Sequence, residues 1–402
     1  MLLEDKKIIP YFQPILCADT CTVTGYEVLG RYIDDNGNIS SLGKFFHDPS
    51  VSAEYALHVD RIIRRKAMER YAEEACDKDL YFNMRLEWLT GVDIPHEIHT
   101  LRWAKEFDIA PERLVIEITE EEFNMNKDYI KVLTFFTDAG CRIALDDYGK
   151  SASNIDRLAH LSPAVIKIDM EYIQKSAESF HHRSYIYSLT SFAEFVGVDV
   201  LCEGIETQEQ LDVCMETKGR YFQGFLLGVP QPTTRNAVVD YEAFSQSSEK
   251  LLSSLHNRMT HTNALRRSMD ILVESFVAEN VFVMGKTPVD LYLINLMRTL
   301  PPHVMRLFLC DRRGKQLSGN IERGANDIRV ATPPGANWRW RGFFHEATRM
   351  FESGRQSGVT GAYRDVRTKE RIFTYFTVLN SDLFLFADVR RVTLNFCLPD
   401  KS

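Results

Sequence analysis

The chain has 402 residues, more than one ordinary compact domain holds, so two domains are the natural expectation. Hydrophobic residues make up 45% and charged residues 26%, which is typical of a soluble globular protein and excludes a disordered chain. The formal net charge of -8 argues against a protein that binds nucleic acid polymers through a basic face. No signal peptide pattern and no apolar run long enough to span a bilayer is present, and the eight cysteines are scattered, so we expect a cytoplasmic protein with reduced thiols.

The first 230 residues alternate between β-rich runs and amphipathic helical segments. The predicted strands are Ile8–Leu16, Thr22–Tyr32, Leu80–Asn83, Leu114–Thr119, Arg142–Asp147, Val165–Asp169, Val198–Glu203 and Tyr221–Leu227. The predicted helices include Ala53–Ala75, Lys127–Ala139, Ser184–Val196 and Gln208–Met215. This βα alternation with eight strands indicates a (β/α)8 TIM-like barrel, with a doubly wound open sheet as the alternative. The first two strands are too close in sequence for a helical crossover, so we expect them to be antiparallel.

The pattern changes after Pro232. We predict a barrel over residues 1–235 and a linking helix over 236–282, broken around His261–Asn263. The apolar stripe of this helix fits packing on its own domains, and it also fits a helix that dimerises or transmits a signal. Residues 283–402 are predicted to form a smaller α+β domain of PAS- or Cache-like fold. Its elements are a helix near Gly342–Ser353 on one face of a sheet and two hairpins that turn at 312–314 and 380–381.

Polar residues fall at the ends of the predicted barrel strands, and in a barrel these ends converge on one face. Five carboxylates and one amide are in this position: Glu27, Asn83, Glu117, Asp146, Asp147 and Glu203. Carboxylates buried among apolar strand residues are costly unless cations compensate for them. Oxygen ligands without His or Cys favour Mg²⁺ or Mn²⁺ over zinc. Two such metals, bridged by adjacent aspartates, would clamp an in-line displacement at phosphorus.

Lys167 ends the sixth predicted strand and is expected to point into the same cavity, where it could orient or deprotonate a water. Each fragment by itself has a simpler interpretation. An Asp-Asp pair is common in turns, a strand Glu is common at a solvated edge, and a Lys at a strand end is usually on the surface. Seven such residues in register with the strand period are not explained in that way.

The residues stand in motifs that together resemble the EAL-domain family. The motifs are Tyr11-Phe12-Gln13-Pro14, Glu27-Val28-Leu29-Gly30-Arg31, Asn83, Glu117-Ile118-Thr119-Glu120, Asp146-Asp147-Tyr148-Gly149, Lys167-Ile168-Asp169, Glu203-Gly204-Ile205-Glu206-Thr207 and Gln223-Gly224. The resemblance spans residues 1 to about 235. It implies hydrolysis of one phosphodiester bond of the bacterial second messenger cyclic di-GMP to linear pGpG, with Mg²⁺ or Mn²⁺ and two metals per site.

The resemblance also implies a role for each matching residue. The five carboxylates and Asn83 match the metal ligands. The matching catalytic residues are Lys167, Glu203, Gln223 and Glu120, and Glu120 corresponds to the residue that braces the loop after the fifth strand. The substrate-binding matches are Gln13, Glu27, Leu29, Arg31 and Gln223. Arg31 is expected to face a phosphate, because a guanidinium suits bidentate phosphate recognition.

The chain departs from the family pattern in two places. Val28 stands where the family has alanine, a mild change because Glu27, Leu29 and Arg31 are retained. The loop after the fifth strand reads Asp146-Asp147-Tyr148-Gly149-Lys150-Ser151-Ala152-Ser153-Asn154-Ile155, whereas the family pattern is Asp-Asp-Phe-Gly-Thr-Gly-Tyr-Ser-Ser-Leu. Loss of the second glycine restricts the backbone of a loop that has to move. We therefore expect nucleotide binding to be more robust than turnover.

The whole chain also resembles a Bacillus-type subfamily in which a cytosolic PAS- or Cache-like domain follows the EAL domain. The residues that carry this likeness lie at 219–224 and 337–344. The likeness implies that the chain can bind the nucleotide while showing little or no hydrolysis, as members of the subfamily can, and the EAL family, whose members are commonly dimers, implies a homodimer. In the second domain, a pocket for an unknown small ligand or protein is one interpretation of Trp338, Arg339, Trp340, Arg341, Tyr363 and Asp365. The other is an aromatic core with arginines stacked on its edge.

Three functions compete at this point. The first is an active cyclic di-GMP phosphodiesterase modulated by its C-terminal sensor domain. The second is a weakly active or inactive receptor that binds cyclic di-GMP, and the third is an interaction scaffold that binds no nucleotide. The complete set of oxygen ligands argues against the scaffold. Synthesis of cyclic di-GMP is excluded, because the sequence has no Gly-Gly-acidic-acidic-Phe loop.

Overall fold

A computed structural model of the protein describes residues 3–89, 98–119, 127–149, 162–235, 237–324, 327–365, 367–380 and 383–390. The strands in chain order are β1 Ile8–Cys17, β2 Thr22–Ile33, β3 Ile39–Ser41, β4 Asp79–Asn83, β5 Leu114–Thr119, β6 Arg142–Tyr148, β7 Val165–Ile168, β8 Asp199–Cys202, β9 Tyr221–Phe222, β10 Val304–Asp311, β11 Asn320–Arg323, β12 Ile328–Thr332, β13 Ser357–Val359, β14 Tyr363–Arg364, β15 Arg371–Asn380 and β16 Leu383–Arg390. The α-helices are Gly43–Phe46, Ala53–Glu73, His99–Glu106, Lys127–Asp138, Met170–Ser176, Phe180–Val196, Gln208–Glu216, Tyr241–Glu279, Val289–Thr299 and Gly342–Glu352. The chain divides into two compact units, Met1–Ser253 and Ser254–Ser402.

Eight strands of the first unit close into a barrel. From β2 the ring runs through β4, β5, β6, β7, β8 and β9 by parallel pairing, and β1 closes it with antiparallel pairing to both β9 and β2. Strand β3 extends β2 outside the ring. The predicted barrel and its antiparallel first pair are confirmed. The last strand is shorter than the prediction of Tyr221–Leu227, because the chain turns away after Phe222.

An apolar plug fills the barrel interior at the end where the parallel strands begin. Its members are Ile15, Cys17, Tyr81, Val115, Ala144, Val165, Leu201 and Tyr221. Gly25 makes room for Tyr81, one of the two tyrosines among them, because a Cβ on Gly25 would lie 2.7 Å from Cε2 of Tyr81. The opposite faces of the same strands carry residues such as Phe12, Phe82 and Phe222, which pack against the surrounding helices. The plug closes one end of the barrel, so a site can open only at the other.

The second unit is built on an antiparallel sheet of order β12-β11-β10-β16-β15-β13, with β14 paired to β15. One face packs Phe308, Phe376 and Phe386 against Phe343 and Phe344 of the helix Gly342–Glu352. The other face packs Leu307, Leu385 and Val389 against residues of the helices Tyr241–Glu279 and Val289–Thr299. The α+β class is confirmed, but the expectation of helices on one face is wrong. Both faces of β10, β15 and β16 are apolar and each needs a cover.

The expected break in the linking helix is also wrong, since Tyr241–Glu279 is a single helix of 39 residues. Thr260, His261, Thr262 and Asn263 are weak helix formers, but none of them lacks a backbone N–H as proline does. The Thr262 hydroxyl donates to the carbonyl of Arg258 at 2.7 Å, which satisfies it within the helix. None of the helices in the described ranges combines the length and apolar character that a membrane crossing needs.

The residues considered for a pocket in the second unit are engaged in packing and polar contacts. Trp338 packs within the aromatic cluster, and its Nε1 donates to Oε1 of Gln316 at 2.7 Å. The Arg341 guanidinium stacks over Trp340 and Tyr363, at 5.2 and 5.4 Å from the ring centroids. Asp365 is paired with Arg306 at 3.1 Å. This arrangement favours the aromatic core with arginines on its edge.

A buried ion network lies in the sheet of the second unit and leads to a stability prediction. Nη1 of Arg306 is 3.1 Å from Asp365 and 2.9 Å from Asp388, and all three side chains are nearly inaccessible. Arg306→Met would strand two buried carboxylates, so we expect a loss of about 3–5 kcal/mol in the free energy of unfolding. Urea denaturation of the full chain measures it. Arg390→Met, which breaks the exposed pair with Glu370, is the control and should cost less than about 1 kcal/mol. Equal losses in the two variants would contradict the prediction.

Candidate functional site

A polar layer lies directly above the apolar plug. Seven residues follow a plug residue or Gly25 by two positions and therefore point to the same side of their strands. They are Glu27, Asn83, Glu117, Asp146, Lys167, Glu203 and Gln223. In the antiparallel β1 the order is reversed, so Gln13 precedes Ile15 and stands opposite Glu27 in register. Along each of these strands, the inward-facing positions therefore change from apolar in the plug to polar in the layer above it.

Lys167 is the centre of this layer and is 1% exposed. Its Nζ lies 2.9 Å from Oε1 of Glu117, 3.1 Å from Oδ1 of Asp146 and 3.2 Å from Oε2 of Glu203. Oε1 of Glu27 is farther away, at 3.9 Å. One ammonium is therefore in contact with carboxylates that come from β5 and β6 and from the end of β8.

Glu27 is held in place by amides. Its Oε1 accepts from Nδ2 of Asn83 at 2.9 Å, and its Oε2 accepts from Nε2 of Gln223 at 2.6 Å. Nε2 of Gln13 donates to the carbonyl of Gly228 at 3.3 Å, which fixes that side chain beside Glu27. These bonds set the orientation of a carboxylate that is 8% exposed.

Asp146 and Asp147 form a tight corner at the end of β6. The backbone N–H of Asp147 donates to Oδ1 of Asp146 at 2.9 Å, and Asp147 has φ of +55°, in the left-handed region. Aspartate tolerates this conformation better than most residues. Asp146, Asp147 and Glu203 can each offer one oxygen within 4.8 Å of the others, a spacing that can hold a cation.

This layer contains more carboxylates than its single ammonium can neutralise. Burial raises the pKa of Glu117 well above its usual range, and Lys167 only partly offsets this. Burial also raises the pKa of Glu203 to about 8, and Asp146 and Glu27 add to the effect. Burial would lower the pKa of Lys167, but the surrounding carboxylates outweigh it and hold that pKa well above the usual range. One ammonium is too little positive charge for this many carboxylates.

The chemistry of the donor set fits a hard divalent metal. Glu117 is 1% exposed; its Oε1 lies 2.9 Å from Nζ of Lys167, whereas its Oε2 has neither a hydrogen bond nor an ion pair within the described ranges. Buried carboxylate oxygens without such partners are costly unless a cation supplies the missing interaction. The other donors are carboxylate and amide oxygens, which suit Mg²⁺, Mn²⁺ or Ca²⁺.

Two of the predicted substrate-binding residues lie outside this cluster. Leu29 and Arg31 are farther along β2, opposite Tyr11 and Ile9, and both are half-buried. The Arg31 guanidinium stacks over the ring of Tyr11 at 5.5 Å and donates to the carbonyl of Gly30 at 3.0 Å. Both are therefore at the rim of the site rather than in its floor. Glu120 and the altered loop at 150–155 lie outside the described residues.

The sequence did not reveal the backbone clamp behind Glu203 and Gln223. The N–H of Gln223 donates to the carbonyl of Cys202 at 2.9 Å, and the N–H of Ile205 donates to the carbonyl of Gln223 at 3.1 Å. The segments that follow β8 and β9 pass so close to each other that a Cβ on Gly224 would lie 2.0 Å from the carbonyl oxygen of Ile205. A glycine directly after Gln223 was the available signal. The clamp fixes the two side chains relative to each other.

Comparison with known proteins gives consistent similarities for both units. The model of the EAL domain matches residues 1–230, and that of the EAL-domain associated signalling protein domain matches residues 240–395. The chain is similar to the uncharacterized EAL-domain containing protein YkuI of Bacillus subtilis, with 31% identity over 97% of this chain and 96% of YkuI. The crystal structure of YkuI in complex with substrate c-di-GMP and calcium aligns with a TM-score of 0.85 and 29% identity, covering 96% of this chain and 97% of that one.

A second group of relatives matches the barrel alone. Cyclic di-GMP phosphodiesterase RocR of Pseudomonas aeruginosa is 26% identical over 57% of this chain and 59% of RocR. The manganese and cyclic di-GMP complex of Klebsiella pneumoniae BlrP1 aligns with a TM-score of 0.51 and 25% identity, over 57% of this chain and 58% of that one. The similarity to YkuI, unlike the similarity to these two proteins, extends through both units.

Proposed function

We propose that this chain, which belongs to the EAL-domain family, hydrolyses cyclic di-GMP to linear pGpG at the mouth of its barrel. The observation that carries the proposal is the buried cluster of carboxylates around Lys167, in which Nζ lies within 3.2 Å of three acidic side chains. An all-oxygen donor set of this kind suits metal-assisted attack of water on a phosphodiester. The complexes of YkuI with c-di-GMP and calcium and of BlrP1 with cyclic di-GMP and manganese support this choice of ligand and metal class.

The residues divide into three roles under this proposal. Glu27, Asn83, Glu117, Asp146, Asp147 and Glu203 would hold Mg²⁺ or Mn²⁺, two ions per site. Such ions, when bound, neutralise phosphate charge and lower the pKa of the attacking water. Lys167, as an ammonium held by the surrounding carboxylates, would orient the attacking water by donating a hydrogen bond to it. Gln223 orients Glu27, and Gln13, Leu29 and Arg31 bind the nucleotide, with Arg31 placed at the rim for a phosphate.

A receptor that binds cyclic di-GMP with little turnover is the second candidate. It is favoured by the sequence Lys150-Ser151-Ala152, which departs from the family pattern next to the Asp146–Asp147 corner. Both candidates need the same nucleotide and the same metals. They differ only in product formation.

Hydrolysis is tested with purified full-length protein, cyclic di-GMP and Mg²⁺ or Mn²⁺, and products are resolved by chromatography. We expect conversion to pGpG, and Glu27→Ala should lower the rate by about 100-fold or more, because Glu27 is a proposed ligand held by two amides. Glu54→Ala, on the exposed face of the helix Ala53–Glu73, is the matched control and should leave the rate unchanged. Saturable binding without product would select the receptor. Neither binding nor product would refute both candidates.

The remaining features of the proposal concern the whole molecule. We propose a cytoplasmic homodimer with an EAL barrel over 1–235, a linking helix over 236–282 and a sensor domain over 283–402. The sensor domain would respond to a small ligand or a protein partner. The match to the EAL-domain associated signalling protein domain supports a regulatory role for the second unit.

A further inference from the structure

The first turns of the long helix Tyr241–Glu279 are part of the barrel unit and contact two of its elements. These turns begin at Asp240, whose Oδ1 accepts from the N–H of Ala243 at 2.8 Å and whose own N–H donates to the carbonyl of Leu227 at 2.9 Å. The start of the helix is thereby tied to the segment that follows Gln223. Its position depends on the backbone that carries the site.

One contact is made through two phenylalanines. Phe244 is 2% exposed and belongs to the barrel core. Its ring centroid lies 5.4 Å from that of Phe222, with the rings at 74°, an edge-to-face pair. Phe222 directly precedes Gln223, whose side chain points to the opposite side of the chain and donates to Glu27 at 2.6 Å. The contact of Phe244 with Phe222 on the outer side of the barrel therefore helps to position the adjacent Gln223, whose side chain lies on the inner side.

A second contact is polar and lies on the helix Gln208–Glu216, which begins five residues after Glu203. Nε2 of Gln208 donates to the carbonyl of Ala243 at 2.8 Å. Asp212 is 9% exposed, accepts from the hydroxyl of Ser247 and pairs with Lys250. The long helix is thus fastened to both segments that the backbone clamp joins.

We propose that Phe244 is a positioning residue that holds Gln223 against Glu27 and so sets the affinity of the site for divalent metal. The inference rests on the proposed metal-binding role of Glu27. Phe244 touches neither metal nor nucleotide and acts only through Phe222 and Gln223. A loss of the aromatic edge lets the end of β9 move outward, and the hydrogen bond from Gln223 to Glu27 lengthens. Outer groups that orient metal ligands change metal affinity by about 10- to 100-fold in other sites.

The test is a calorimetric titration of the full chain with Mn²⁺ alone. It is carried out on the four proteins of a double-mutant cycle: the wild type, Phe244→Leu, Gln223→Ala and the double variant. We expect Phe244→Leu to weaken Mn²⁺ binding by about tenfold in the wild-type background. In the Gln223→Ala background the same change should alter the affinity by less than about twofold, because the residue it acts through is gone. Phe244→Met serves as a milder second variant if Phe244→Leu lowers the yield of folded protein.

Phe136→Leu is the matched control, because Phe136 is a fully buried phenylalanine of the same core on the helix Lys127–Asp138. It should lower the unfolding temperature comparably and leave Mn²⁺ affinity unchanged. If Phe244→Leu affects Mn²⁺ affinity no more than Phe136→Leu, or by the same factor in both backgrounds, the positioning role is overturned. If the wild-type protein binds no Mn²⁺, the proposed function fails and this inference fails with it.

Discussion

Replacing Lys167 with methionine is expected to lower hydrolysis by about 10²- to 10⁴-fold, the range typical for loss of a positioned acid or base. In the absence of metal, the same variant should lose about 3–5 kcal/mol in the free energy of unfolding, because removing one partner of a buried ion cluster leaves the others uncompensated. Glu117, Asp146 and Glu203 all lie within 3.2 Å of the ammonium that the substitution removes.

A third effect distinguishes this variant from a protein that is merely damaged. Lys167 is a positive charge at the place where divalent cations are proposed to bind, and it opposes them. Without it, Ca²⁺ or Mn²⁺ should raise the unfolding temperature more in Lys167→Met than in the wild type. Binding to the folded state stabilises it by RT ln(1 + [L]/Kd), so a tighter site gives a larger gain at equal metal concentration.

The measurement is thermal unfolding in chelator and in excess Ca²⁺, together with product formation in Mn²⁺. Lys175→Met is the control, because Lys175 forms an exposed pair with Glu171 on the same barrel and should contribute less than about 1 kcal/mol. A variant that is as stable as the wild type in chelator, or that gains less from Ca²⁺, would show that Lys167 is not the counter-charge of the cluster.

Much of the site could be predicted because a strand has a period of two. Glu117, Asp146 and Lys167 each follow an inward-facing apolar residue by two positions, so they face inward as well, and parallel strands bring their ends together. The residue types then limited the metal class. What the spacing could not give is the hydrogen-bond network, in which Asn83 and Gln223 bind Glu27 from both sides. That network depends on rotamers and on strands far apart in sequence.

Elements were missed where local sequence has little influence. The break expected at His261–Asn263 does not occur, because weak helix propensity over a few residues amounts to little beside the packing of a long helix. All three residues of the short strand β3 are exposed, and it has no apolar alternation to reveal it. The contact of Phe244 with Phe222 is tertiary, so no local pattern indicates it. Sequence patterns thus located the acids but not what holds them in position.

Replacing Asp147 with asparagine is expected to weaken metal binding without lowering stability in chelator, which is the opposite of the result expected for Lys167→Met. The change removes one of three oxygens that can surround a cation, so Mn²⁺ affinity should fall by at least about tenfold and hydrolysis by about 100-fold or more. The backbone should be undisturbed, because asparagine tolerates the φ of +55° that Asp147 adopts. Lys167 keeps its contacts with Glu117, Asp146 and Glu203.

Stability in chelator should therefore be no lower than that of the wild type, because the substitution removes one negative charge from a cluster that has too many. At saturating metal, a tenfold weaker site lowers the stabilisation by about 1.4 kcal/mol. Thermal unfolding with and without Mn²⁺ measures both quantities, and Asp138→Asn on the barrel exterior is the control. If Asp147→Asn loses stability in chelator but keeps its response to Mn²⁺, Asp147 stabilises the fold and does not bind metal. If Lys167→Met and Asp147→Asn shift the metal response in opposite directions, the two residues act on one cation site from opposite signs of charge.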